Sequence, residues 1–252
     1  CEPESRYLEA ALLNDAMLKD PAVKQFLYRK LQKSIEEAKI GKIYCSGFYH
    51  TGVGDMIGYL QYAAGMEPTG CLNEGELYSA NFAYGDIASF RSPLIDPSEV
   101  NRIKIVRNDL IQKWFGHFKD QDVVMFNMHD ISAPQQGGAD FDGDIFFLCD
   151  EPVVINAKID KPVILDIEDK MTVKSSPYTT ENLIEYEVLT RDSRIGEITN
   201  VATSIENRYT TDEEIQRRYA DYASLLRIFQ GKEIDFLKTG FRWHMNNGLR
   251  KH

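Results

Sequence analysis

Three carboxylates stand at alternate positions in one short loop: Asp140, Asp142 and Asp144 within GGADFDGDIFFLCD, with Gly143 between the last two and an apolar run behind them. Like charges this close repel, so a folded chain that keeps them together calls for a cation between them. Carboxylate oxygens are hard donors and suit Mg2+ or Ca2+. Alternate positions of an extended segment point the same way, which would bring the three together on one side and send Phe141 to the other.

Two metal chemistries compete with the bland reading of a solvated acidic turn. In a calcium loop of the EF-hand type, Asp140, Asp142 and Asp144 would take the first, third and fifth positions and Glu151 the twelfth. The sixth position, where the sharp turn needs glycine, then falls on Ile145, and the flanks read as strands instead of helices. In a nucleotidyl-transfer site the cluster would hold Mg2+ ions roughly 3.5–4 Å apart, keeping the attacking oxygen, the phosphorus and the leaving pyrophosphate in line. Gly143 suits the second chemistry, because a residue without Cβ lets backbone and substrate approach closely.

The elements that must carry such a loop fall into three stretches. Residues 1–40 read as helical. Leu8, Leu12, Leu13, Met17 and Leu18 lead to Asp20-Pro21, an N-cap with proline at the first helical position, and Val23, Phe26, Leu27, Leu31 and Ile35 continue an apolar stripe as far as Gly41. Residues 41–172 change character: glycine and proline punctuate short β-rich runs, namely KIYCSGFY, LYSANFAY, NRIKIV, DVVMFN, DIFFL and KPVILDI. Irregular spacing with few long helices between the runs predicts a barrel or mixed sheet, not repeated βαβ units. Residues 173–252 return to helix. Thr180 is expected to cap ENLIEYEVL, Ile195, Ile198, Val201 and Ile205 share one face, and Thr211 with Glu214 forms a capping box before EIQRRYADYASLLRIFQ.

Composition bounds what this assembly can do. At 252 residues and 43% hydrophobic content the chain can fill a sizeable core. No apolar run approaches the roughly 20 residues of a membrane span, so no membrane partner is expected. Position one is Cys1 in place of Met, which suggests a piece of something longer. Cysteines at positions 1, 45, 71 and 149 lack any CxxC pairing and point to plain thiols in a reducing cytoplasm. The formal net charge of −10 is the reverse of a free-standing nucleic-acid binder, so if this chain handles nucleic acid, other parts of a larger machine would supply most of the phosphate contacts. His50, His117, His129 and His244 have no ligand spacing and read as structural, with His129 singled out by its place on the approach to the loop. Gly137-Gly138 frees the loop to turn, and Phe241 and Trp243 read as packing residues.

ADFDGD before an apolar strand resembles the catalytic signature of two-barrel RNA polymerases. That group holds the large subunits of multisubunit RNA polymerases and the single-chain RNA-dependent RNA polymerases of gene silencing. Upstream, YGDIASFRSPLIDPSEV is similar to their arginine-proline element, and DVVMFN to the strand that leads into the catalytic loop. Downstream, IGEITNVATSIENR and LLRIFQGKEIDFLKTG look like the helical segment of the silencing enzymes. The divergent single-chain branch of gut bacteria and their crAss-like phages is the nearest resemblance. What it implies is an α+β fold: a double-psi β-barrel over 41–172, between helical segments at 1–40 and 173–252.

By the same resemblance, Asp140, Asp142 and Asp144 would bind catalytic Mg2+, with Mn2+ as a substitute. Arg91 would lie near the incoming nucleotide or template, and Lys238 aligns with a lysine of the downstream stretch. Ser92 stands where the silencing enzymes have asparagine. The implied function is the catalytic barrel of a template-directed RNA polymerase, DNA- or RNA-directed, which uses nucleoside triphosphates and a nucleic-acid template and makes RNA. No segment resembles the companion barrel with substrate-binding lysines, so the remainder of the polymerase is an expected partner and the isolated chain is not expected to polymerise. The alternative is a non-catalytic metal-binding or assembly module that retains the barrel.

Overall fold

The structure, a computed structural model, describes residues 5–117, 122–164, 176–191, 193–208, 210–236 and 242–244. It divides into two units, Cys1–Cys45 and Ser46–His252.

In the first unit, Ser5 caps α1 (Arg6–Leu13) and Asn14 caps a 3-10 turn over Asp15–Lys19. Helix α2 (Pro21–Lys39) starts as its sequence predicts: the Asp20 carboxylate accepts the Ala22 and Val23 N–H groups at 2.8 and 3.1 Å, and Pro21 occupies the first turn. Tyr7 stacks on Phe26 with ring centroids 5.3 Å apart. The apolar stripe is not a buried face. Only Val23 is buried among the described residues of this unit, while Leu12, Leu13, Leu31 and Ile35 are exposed.

In the second unit six strands close a barrel: β1 (Phe48–Val53), β2 (Glu76–Ser79), β3 (Gly85–Arg91), β4 (Asn101–Ile105), β5 (Val123–Phe126) and β6 (Ile145–Cys149). Around the barrel the order is β1, β5, β2, β4, β3, β6 and back to β1. The β1/β5 and β2/β4 pairs are parallel and the other four antiparallel, so the chain must cross over the barrel ends rather than run as a simple meander. Helices flank it: α3 (Met56–Ala63), α4 (Asp109–Phe115), α5 (Pro152–Asn156), α6 (Thr180–Thr190), α7 (Ile195–Glu206) and α8 (Glu213–Ile234). This is the α+β barrel of the double-psi class that the resemblance implies.

Period-two alternation explains the closure. Ile103 and Ile105, Val124 and Phe126, and Phe146 and Leu148 all point into one cluster with Leu77 and Ile87. Each such side chain contributes about 1.5–3 kcal/mol by leaving water. Met125, on the opposite face of β5, packs outward with Ile57, Leu72, Val106, Ile111 and Phe115 beneath α3 and α4. Close approach is tightest at Gly52: a Cβ there would lie 2.2 Å from the Phe146 ring, so β1 needs glycine beside β6. A third cluster joins Ile95, in the connection after β3, to Ile198, Ala202, Ile205 and Leu226 of α7 and α8.

Several local expectations are corrected. Thr179 rather than Thr180 caps α6, its hydroxyl accepting the Asn182 N–H at 3.3 Å. Asp212 rather than Thr211 caps α8, because its carboxylate takes both the Glu214 and Ile215 N–H groups. In KPVILDI, residues 161–164 form no strand, and the rest lies outside the described residues. Cys45, Cys71 and Cys149 are free thiols, the last two buried; Cys1 lies outside the described residues.

Candidate active site

The loop that carries the three aspartates leads straight into β6, which is hydrogen-bonded to β1 on one side and β3 on the other. The backbone of Asp144 is fixed from the β1 side, where Gly52 N–H donates to its carbonyl at 2.9 Å. Its side chain is fixed from the β3 side. Arg91, the last residue of β3 and the register partner of Phe146, donates from Nη2 to Asp144 Oδ1. The same guanidinium donates from Nη1 to the Gly137 carbonyl at 3.0 Å, so one planar fork ties the start of the loop to its end. Asp144 Oδ2 accepts the Asp140 N–H at 3.0 Å, which closes the loop upon itself.

Carboxylate oxygens of Asp140, Asp142 and Asp144 lie within 4.8 Å of one another. Asp144 is buried; Asp140 and Asp142 are exposed. The convergence is the expected one, but its cause differs from the expected alternation. The loop bends sharply instead of running extended, with positive φ at Gly137 (70°), Gly138 (71°), Phe141 (64°) and Gly143 (123°). For Phe141 that backbone costs on the order of 1 kcal/mol or more. Its ring packs on Phe126 at 5.8 Å, and Phe126 meets Phe146 at 4.7 Å, so core contact offsets the strain. A Cβ at Gly143 would meet nothing within 4 Å, leaving open space on that side of the carboxylates. The EF-hand alternative fails here, because a turn and not a helix precedes Asp140, and β6 (Ile145–Cys149) occupies positions six to ten of what would have to be the calcium loop.

A buried polar scaffold lies behind the loop, and none of it was singled out from the sequence. Gln136, fully buried, accepts the Ser89 hydroxyl at 2.8 Å and donates to the Ser132 carbonyl at 3.0 Å. Gln135 donates to the Ser98 carbonyl at 2.6 Å and Asn101 to the Ser132 carbonyl at 2.9 Å. Asp130 gathers the Gly75 N–H at 2.7 Å, the Asn127 amide at 2.9 Å and both the N–H and hydroxyl of Ser132. Burial pushes against the charged form of Asp130, yet these donors, Ser132 foremost, outweigh it and hold the carboxyl below its ordinary value. The available signal was the polar pair Gln135-Gln136 directly ahead of two glycines.

The other sequence candidates sort plainly. Arg91 is committed to Asp144 and the Gly137 carbonyl. His129 is exposed and its Nε2 lies 3.1 Å from the Thr69 carbonyl. His50 is buried in the barrel wall, its Nε2 2.9 Å from Ser79 Oγ. Trp243 lies over Lys232 at 5.7 Å, a packing contact. Lys238 and Phe241 lie outside the described residues.

Among the described residues, Asp140, Asp142 and Asp144 are the one grouping of metal-ligating side chains close enough to share an ion. A hard, all-oxygen donor set with two exposed members fits Mg2+, which keeps several waters and takes a few carboxylates. No described helix is long and apolar enough to cross a membrane.

A family model described as RNA dependent RNA polymerase matches residues 5–252. Among solved structures, the chain is similar to the RNA-dependent RNA polymerase QDE-1 from Thielavia terrestris, with a TM-score of 0.53 and 18% identity over 85% of this chain. It spans 24% of that protein's length. No curated protein matches the sequence.

Proposed function

Because the chain belongs to the RNA-dependent RNA polymerase family, we propose that residues 41–172 are the catalytic barrel of a template-directed polymerase and that Asp140, Asp142 and Asp144 form its metal centre. The observation that carries this reading is the convergence of the three carboxylates within 4.8 Å, on a loop anchored by two barrel strands.

The reaction is attack of a 3′-hydroxyl on the α-phosphorus of a nucleoside triphosphate. A new P–O bond forms, the bond to the β-phosphate bridging oxygen breaks, pyrophosphate leaves, and the hydroxyl proton passes to solvent. Mg2+, with Mn2+ as a substitute, would supply charge neutralisation on the phosphate oxygens when held by the three aspartates.

The protein's own part is to keep the donor set rigid before substrate arrives. Asp144, gripped by Arg91 and by the Asp140 N–H, is the fixed member. Asp140 and Asp142 are exposed to solvent, the side from which phosphate oxygens would reach a bound ion. Gly143 leaves the substrate side open. Arg91, which joins both ends of the loop, is placed to sense a nucleotide bound over the carboxylates. Lys238, the second substrate-binding candidate, belongs to the same proposal, as do a lysine-bearing companion barrel, a nucleic-acid template and a cytoplasmic setting.

The test is RNA synthesis by the full-length protein on single-stranded RNA and DNA templates, with Asp142→Asn as control. Metal-dependent synthesis that the substitution abolishes is expected, and preference for RNA over DNA fixes the template class. Synthesis indifferent to Asp142→Asn would end the proposal; a metal that binds the loop without any synthesis would favour an assembly module instead.

A further inference from the structure

Behind the Arg91 and Asp144 pair lies a second, deeper pair of charges. Glu99 and Arg227 are each 2% exposed, and Arg227 Nε meets Glu99 Oε1 at 2.5 Å. Glu99 ends the 3-10 turn Pro97–Glu99 in the connection after β3, and its other oxygen accepts the Ile95 and Asp96 N–H groups at 2.8 and 3.0 Å. Arg227 belongs to α8, which grips the same connection by Leu226 packing with Ile95 and by Gln230 donating to the Pro93 carbonyl at 3.5 Å. Among the described residues neither Glu99 Oε1 nor Arg227 Nε makes an aligned hydrogen bond, so charge holds the two together.

The two pairs meet at Gly137. A Cβ on that residue would lie 2.7 Å from Arg91 Nη1 and 3.8 Å from Glu99 Oε1. Four charges of alternating sign therefore run inward from the loop: Asp144, Arg91, Glu99, Arg227. Arg91 has two carboxylates within its neighbourhood and donates to one. Which one it serves depends on whether Glu99 is already neutralised from the other side.

We infer that Arg227 is a positioning residue of the metal centre: by satisfying Glu99 it leaves Arg91 to Asp144, so that helix α8 sets the orientation of the innermost aspartate and keeps the guanidinium beside it. This rests on the metal-centre reading above. Burial already pushes the Glu99 carboxyl toward its neutral form, so without Arg227 it keeps its charge only by drawing Arg91 from Asp144. Asp144 then lacks both its cationic competitor and its orienting fork. Metal binds more tightly, because the site is more negative, while turnover falls, because the carboxylate is no longer held.

The experiment uses the full-length polymerase and reads Mn2+ affinity by electron paramagnetic resonance beside kcat for nucleotide incorporation. Arg227→Met is expected to lower the Mn2+ Kd about threefold or more while kcat drops about tenfold. Arg227→Met with Glu99→Gln, which removes the stranded charge and keeps an amide oxygen for the Ile95 and Asp96 N–H groups, is expected to return both toward wild type. A Kd that is unchanged or raised in the folded single variant, or a double variant no closer to wild type than the single, would overturn the inference. If Arg227→Met does not fold, Arg227→Gln, which retains a polar head, takes its place under the same criteria. Asp144→Asn separates the two levels. Mn2+ binding that Asp144→Asn leaves at the wild-type level overturns the metal-centre reading and this inference with it; failure of the Arg227 variants alone leaves that reading standing.

Discussion

Arg91 and Asp144 face each other across the seam where β3 pairs with β6, and the guanidinium that binds the carboxylate also binds the carbonyl of Gly137 at the far end of the same loop. Both side chains are largely withdrawn from water, at 15% and 7% exposure, so the pair is a structural clamp as much as a charge pair.

Replacing Arg91 by lysine tests the clamp. An ammonium is a point charge and cannot bridge Asp144 and Gly137 together. Arg91→Lys should lower stability by about 2–4 kcal/mol in urea denaturation of this chain, short of the full cost of stripping a buried charge. On the proposed function, kcat for RNA synthesis by the full-length protein should fall about tenfold or more. Wild-type stability together with wild-type turnover would mean that the fork does not organise the loop.

The two glycines ahead of the aspartates give an internally controlled comparison. Gly137 and Gly138 have nearly equal positive φ, 70° and 71°, so alanine at either carries a similar backbone penalty of roughly 1 kcal/mol. A methyl group at Gly138 meets nothing within 4 Å, whereas one at Gly137 lands 2.7 Å from Arg91 Nη1. Gly137→Ala should thus cost more stability than Gly138→Ala, and only Gly137→Ala should weaken synthesis strongly. Equal losses in thermal melts and in activity would refute the clash.

Histidine 50 gives the barrel a predictable pH response. Burial holds its imidazole below the ordinary value, against weaker opposition from the Phe48 carbonyl and the charge of Asp122. In the unfolded chain it titrates near 6.5. Between its folded pKa and that value the unfolded state binds more protons, so stability falls as pH drops through this window and is unaffected by His50 above it. Melting temperatures at pH 7.5, 6.5 and 5.5 should decline, and His50→Gln should flatten the slope even though it lowers the starting point. A parallel slope in the variant would assign the response to other groups.

Thiol reactivity should rank the cysteines by burial. The Cys71 thiol is pushed up to about 12, first by burial and then by the Asp55 carboxylate, whose Oδ1 its Sγ approaches at 3.5 Å. At pH 8 iodoacetamide should alkylate Cys45 well before Cys71 or Cys149, as peptide mass spectrometry of the native protein would read. Early modification of Cys71 would contradict the packing around Asp55.

How much of this was legible in the sequence follows from which forces act locally. Asp20-Pro21, the β-rich runs DVVMFN and DIFFL, and the clustering of Asp140, Asp142 and Asp144 all depend on near neighbours, and each holds in the structure. The bend that brings the carboxylates together was not legible, because the positive φ of Phe141 is maintained by Phe126, on another strand. Gln136 and Glu99 escaped notice for a related reason: a buried polar residue and a surface one look alike until the partners that satisfy them are in place. The caps at Thr179 and Asp212 were missed by one residue each, where adjacent Thr and Asp side chains compete to cap the same helix start.

The position of β6 between β1 and β3 bears on how this site could change over time. Sliding β6 by one residue would carry Asp144 along and turn Phe146 outward, yet the slide would have to break both ladders at once, since each neighbour fixes the register independently. Point substitutions elsewhere in the barrel can thus accumulate without moving the aspartates, whereas an insertion or deletion within any of these three strands displaces them at a stroke. The aspartate loop is held by its frame: the strands can drift in composition but not in count.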